Sequence, residues 1–124
     1  MSRAVFVAAF ACAAPALAQT AYFAAIEDLP LPPGFIEREA APGFVGEGGR
    51  LVLAFAEGEL SGLAVRDFYY ENLPQLGWSI SPQPDGALVF QRGRERLSFT
   101  VESTNGRTRL GARLVVLPAS MNAD

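Results

Sequence analysis

Residues 65–78 read VRDFYYENLPQLGW, and the fold turns on whether this stretch is a helix. Val65, Phe68, Tyr69, Leu73 and Leu76 fall at i, i+3, i+4, i+8 and i+11, which gathers them on one side of a 3.6-residue turn. Arg66, Asp67 and Glu71 point away from that stripe. Ser61 stands where an N-cap is wanted, although Ala64 in place of Glu or Gln leaves no capping box. Pro74 withholds the N–H that would bond the carbonyl of Tyr70, so the helix ends or kinks at Leu73, with a further turn to Gly77. Neighbouring residues on a helix diverge by about 100°, so Tyr69 and Tyr70 cannot serve one atom as a catalytic pair. Tyr69 is expected to face inward with its hydroxyl near the rim. Asn72, inside the stripe, is expected to satisfy a freed carbonyl. Trp78 is expected to anchor the helix end to a sheet.

The sheet is read from alternation and turn chemistry. RLVLAFAEGE, residues 50–59, alternates Leu51, Leu53 and Phe55 with Val52, Ala54 and Ala56. Beyond Trp78 the signals are all strand and turn. WSISP is followed by the turn QPDG, then ALVFQR, the turn RGRE, and RLSFTVE with Leu97, Phe99 and Val101 on one face. Asn105-Gly106 is a strong hairpin signal. TRLGARLVVL then places Leu110, Ala112, Leu114 and Val116 inward, and Pro118 closes it. The expected fold class is α+β. It is a two-layer sandwich with one helix packed on a mainly antiparallel sheet of about five strands, a β-α-β-β-β-β meander.

The 124-residue chain opens MSRAVFVAAFACAAPALAQT. Arg3, an uncharged run and Ala16-Leu17-Ala18 match a secretory signal peptide cleaved after Ala18. The alternative is an uncleaved anchor, because the uncharged stretch approaches the ~20 residues that span a bilayer. The organisation is then a signal peptide at 1–18, a Pro/Gly-rich lead at 19–49, the α+β domain at 50–118 and a tail at 119–124. In the lead, Leu29, Leu31, Phe35, Ile36, Phe44 and Val45 are expected to tuck into the domain, with a short strand near residues 35–38; a Pro-rich docking peptide is the other reading. The sole cysteine, Cys12, lies in the signal without a lipoprotein-type approach, so the exported chain has no disulfide and depends on its core. Without Arg3, nine arginines face thirteen acids, a net charge of −4 that offers no field for nucleic acid.

The chemistry on offer is narrow. With no His anywhere and no Cys beyond position 12, imidazole bases, Ser-His and Cys-His nucleophiles and ordinary zinc or copper sites are absent. No loop has calcium-cage spacing, no cofactor is implied, and GEGG at 46–49 lacks the Lys-Ser/Thr of a phosphate loop. Glu57 and Glu59 are the candidates for a hydrolase that uses carboxylates alone. One basic cluster stands out: Arg92, Arg94, Arg96, Arg107, Arg109 and Arg113 crowd the last three strands and their turns. Arg96 and Arg113 are expected to share a surface with Glu95 or Glu102. Cross-strand ion pairs are the plain reading of this cluster. An anion or partner site on Arg94, Arg96, Arg109 and Arg113 is the functional one, with Val52, Val89 and Val115 forming an apolar strip on the same outer side.

At DLPLPPGF, GRLVLAFAEGE and VRDFYYENLPQLGW the chain resembles a family of small exported proteins, common in alphaproteobacteria, that has no assigned function. The resemblance spans roughly residues 28–118 and implies an envelope location and a compact α+β domain, with no catalytic residues to transfer. The functional expectation is a non-enzymatic periplasmic domain that binds an envelope protein or anionic ligand. A membrane-tethered structural protein and a carboxylate hydrolase are the alternatives.

Overall fold

The computed structural model describes residues 20–38, 44–46 and 48–118; the expected signal peptide, its cleavage site, Cys12 and the C-terminal tail lie outside them. The long strands form where the sequence alternates, at β3 (Gly49–Gly58), β6 (Glu95–Thr104) and β7 (Arg107–Val116), while the five-residue β5 (Leu88–Arg92) forms on the buried apolar run Leu88-Val89-Phe90. Three short strands accompany them: β1 (Ile36–Arg38), β2 (Phe44–Gly46) and β4 (Ser79–Ile80). The sheet has seven strands in the order β1-β3-β7-β6-β5-β4, with β2 also pairing β3, and every pairing is antiparallel. The α+β class and the final four-strand meander are as expected. The strand count is larger because the lead contributes β1 and β2, which pair with opposite ends of β3.

The turns carry the predicted chemistry. Asn105 (φ 51°) and Gly106 (φ 78°) both take the left-handed conformation of a two-residue type I′ hairpin turn. In QPDG, the Gly86 N–H bonds the Gln83 carbonyl at 3.0 Å, and Asp85 accepts from the Ala87 N–H.

Helix α1 (Gly62–Asn72) starts at Ser61, whose hydroxyl accepts from the Ala64 N–H at 3.1 Å. It ends at Leu73, passes through a 3₁₀ turn at Pro74–Leu76 and stops at Gly77 (φ 92°). Val65, Tyr69 and Leu73 are fully buried against the sheet. Leu76 leaves the predicted stripe and is 36% exposed, because the 3₁₀ turn after Pro74 breaks the helical phase. The Asn72 amide bonds the carbonyl of Phe68 at 2.7 Å, one turn back along its own helix. Trp78 is buried at the helix exit, with the Arg92 guanidinium 4.4 Å above its ring. Among the described residues no helix is long and apolar enough to cross a membrane.

Tyr69 sits at the centre of the core. Its ring stacks on Phe99 of β6 (centroids 4.3 Å apart) and meets Phe68 edge-on, while Phe90 meets Phe99 edge-on. Its hydroxyl is not at the rim. It is buried and donates to the carbonyl of Pro30 at 2.8 Å. Pro30 belongs to a loop closed by hydrogen bonds from the Phe23 N–H to the Leu29 carbonyl and from the Leu31 N–H to the Ala21 carbonyl. Glu37 of β1 accepts from the N–H groups of Ala24 and Ala25. The loop inserts Phe23, Ile26, Leu29 and Leu31 into the core beside Phe35. Phe35 crosses β3 at Gly58, where even a Cβ would lie 2.2 Å from its ring. Ile36 departs from the expected packing: it is 63% exposed, because β1 turns it to the opposite side from Glu37.

Tyr69→Phe keeps the stacked ring and strands the Pro30 carbonyl without its donor. The expected loss is about 1–3 kcal/mol, the cost of an unmet buried polar group, read as a lower urea midpoint with the same dependence on urea. An unchanged midpoint would show that this bond adds nothing to the union of lead and helix.

Candidate functional site

Alternation divides the sheet into two faces with different chemistry. Beneath the helix lie Val52, Ala54 and Ala56 of β3, Leu97 and Phe99 of β6, and Leu110, Ala112 and Leu114 of β7. The small residues of β3 make room for the lead and helix. Val52 is therefore on the inner face, 7% exposed, and not in the expected outer strip. The outer face carries Leu51, Leu53 and Phe55, half-buried, with Val115 paired to Leu51 and Val89 paired to Ser98. No helix packs on this face among the described residues.

The predicted arginines divide. Arg96 and Arg113 are on the outer face, where Arg96 pairs in register with Val115 and Gln91, and Arg113 with Leu53 and Ser98. They are diagonal neighbours on adjacent strands. Neither has an ion-pair partner among the described residues. Arg109 shares the face but lies nearer the Asn105-Gly106 hairpin. Arg94 does not join them: it sits in the β5–β6 turn and donates to the Leu117 carbonyl at 2.9 Å. Glu95 is also absent from this surface. It pairs in register with inward-facing Val116 and holds Arg92 at 2.9 Å, beside Trp78. Glu102 is on the outer face, paired in register with Arg109.

The structure adds a constellation that the sequence did not single out. In one cross-strand row Ile36, Glu57, Arg109 and Glu102 lie side by side, with Arg38 and Arg107 adjacent. One oxygen of Glu57 lies 3.4 Å from Arg38 Nη2 and 3.6 Å from Arg107 Nη2, and the other lies 3.6 Å from Arg109 Nη2. Partial burial pushes the Glu57 pKa up. Arg38, by charge and hydrogen bond, and then Arg109 and Arg107 outweigh that and hold it below the ordinary 4.5. Three open depressions meet at this carboxylate. One of about 220 Å³ is lined by Glu102, Thr104, Thr108, Arg107 and Arg109; one of about 280 Å³ by Arg38, Phe55 and Arg109; one of about 360 Å³ includes Ile36, Glu59 and Arg107. Glu57 and Glu59, the sequence's candidate acids, thus border one depression, but Glu57 is committed to its arginines.

Signals for this row existed in the sequence as Arg at alternate positions of one strand and Glu on another. What was missing was the register of β3 on β7, which sets Glu57 opposite Arg109. Comparison with protein-family models, with curated proteins and with solved structures finds no match for this chain.

A carboxylate held ionised by the fold stabilises it above its unfolded pKa, and that contribution disappears as the pH falls through the lowered folded value. Between pH 7 and pH 3 the wild type should therefore lose stability through Glu57, and Glu57→Gln should lose less over the same interval. Urea midpoints across that range test this; parallel curves for the two proteins would show that the arginines do not favour the ionised form.

Proposed function

We propose that the chain is an exported, non-enzymatic binding domain of the periplasm that engages an acidic envelope protein or anionic ligand through the outer face of its sheet. The observation that carries this reading is charge segregation. Among the described residues the outer face bears Arg38, Arg96, Arg107, Arg109 and Arg113 against Glu57 and Glu102, a net of three positive charges on a chain whose total is −3. Leu51, Leu53, Phe55 and Val115 supply an apolar floor beside Arg96 and Arg113, which have no ion-pair partner among the described residues. An apolar floor rimmed by arginine is a common composition for a protein interface. The leader pattern of residues 1–18 supports export, as does the resemblance to small exported proteins. Against the carboxylate-hydrolase reading, a Glu57 kept ionised by three guanidiniums is a poor proton donor. The membrane-tethered alternative differs from this proposal only at the N-terminus.

Two experiments test the proposal. Reversing Arg96 and Arg113 together to Glu, which touches no core contact, should abolish recovery of crosslinked envelope partners identified by mass spectrometry; undiminished recovery would remove this surface from the interaction. Mass spectrometry of the mature protein should find Gln19 at its N-terminus. An intact Met1 or Ser2 would favour the anchored form.

A further inference from the structure

We infer that the three guanidiniums around Glu57 form a recognition point for a singly charged phosphate group, as carried by a phosphodiester. This inference rests on the outer-face reading but uses a different part of the face. Arg107 and Arg109 straddle the carboxylate at 3.6 Å, too long for hydrogen bonds, and their side chains make no hydrogen bond among the described residues. Both are half or more exposed, at 50% and 66%. Each guanidinium therefore keeps an unspent fork of N–H donors at the depression of about 220 Å³ that the two arginines line with Glu57, Glu102, Thr104 and Thr108. Glu57 holds the forks close to one another without consuming them.

Charge and shape select the ligand. Arg38, Arg107 and Arg109 against Glu57, Glu59 and Glu102 leave the three depressions with no net charge, so recognition rests on the free donors more than on the field. That balance suits a monoanion better than a dianion. Two forks converging from alternate positions of one strand offer more donors than a carboxylate's two oxygens can use, and the oxygens of a phosphate accept such donors well. Ile36, directly across Glu57, is 63% exposed, which places an apolar side chain next to the charged group. A phospholipid headgroup, with phosphate beside hydrocarbon, satisfies both features, and a small soluble phosphodiester satisfies the first.

The experiment measures binding of the full chain at about 0.15 M salt, where the Debye length is about 8 Å, to two probes: glycerophosphoglycerol by calorimetry, and phosphatidylglycerol vesicles by cosedimentation. Arg107→Ala with Arg109→Ala should weaken binding about tenfold or more, the scale of a lost hydrogen bond to a charged group. Arg50→Ala with Arg66→Ala removes the same charge away from the outer face and should leave binding within about twofold, since solvated charges at that distance are screened. All proteins carry the same N-terminus, so any membrane contribution from it cancels. Binding of both probes assigns the site to the phosphate itself. Vesicle binding alone, where Arg107→Ala with Arg109→Ala weakens it, assigns the site to a membrane surface, and the soluble probe alone to a small ester; vesicle binding that this variant leaves unchanged overturns the inference. Binding of neither probe, or equal loss in the two double variants, overturns the inference. Partner capture by the Arg96 and Arg113 variant is read separately, so failure of this inference is distinguishable from failure of the outer-face reading.

Discussion

The fold depends on one side chain placed where three segments meet. Tyr69 stacks on Phe99, projects from α1 and donates its hydroxyl to Pro30, so a single residue joins helix, sheet and lead. The arrangement answers a shortage. Beyond residue 18 the sequence has no cysteine for a disulfide, and one helix cannot cover the inner face of a long-stranded sheet. The lead supplies the difference by burying Phe23, Ile26, Leu29, Leu31 and Phe35 in the same core. Because the Tyr69 hydroxyl has left water, its ionisation is disfavoured and its pKa lies above the usual phenol range. The group is held as a neutral donor, which is what the Pro30 carbonyl requires.

Saturating one face of the sheet leaves the other to water. Side chains alternate along β3, β6 and β7, so each apolar residue committed beneath the helix fixes its neighbours on the outer side. The outer surface is drawn together around Gly111, where an added Cβ would lie 2.6 Å from the Thr100 hydroxyl and 3.4 Å from the Phe55 ring. Phe55 thus reaches over Gly111 of β7 between the Glu57 row and the Arg113 row. The face is divided by this ring into a hairpin end, where arginines gather on a carboxylate, and a far end, where Arg96 and Arg113 stand among aliphatic side chains.

The features legible in the sequence are those governed by local rules. The Asn-Gly turn, the QPDG turn, the Ser61 cap and the stop at Gly77 each follow from residues within a few positions of one another. So does the inward face of β7, where alternation is unbroken. The features that escaped are set by register. Glu57 meets Arg38 and Arg109 only because β3 pairs with β1 on one side and β7 on the other, across sequence separations that no local pattern encodes. Val52 was misplaced for a related reason. Both faces of β3 are apolar in composition, so alternation alone does not say which one the helix covers. The depth of Tyr69 was hidden because its cover comes from the lead, whose prolines and glycines mark an extended path without marking its destination.

The arrangement at Glu57 is hard to account for as stabilisation alone. Arg38 is the guanidinium that ties β1 to β3, and its hydrogen bond to Glu57 already does so. Adding Arg107 and Arg109 brings further positive charge to a carboxylate that one arginine suffices to neutralise, and exposed ion pairs of this kind contribute little to stability. The added guanidiniums also repel each other. A surface selected only for stability would leave Arg107 and Arg109 free to spread into solvent or would set a second acid against them at hydrogen-bonding distance. Glu102 is opposite Arg109 in register, yet the guanidinium reaches for Glu57 instead. The fold thus keeps two donor forks close together and largely unspent beside an exposed Ile36.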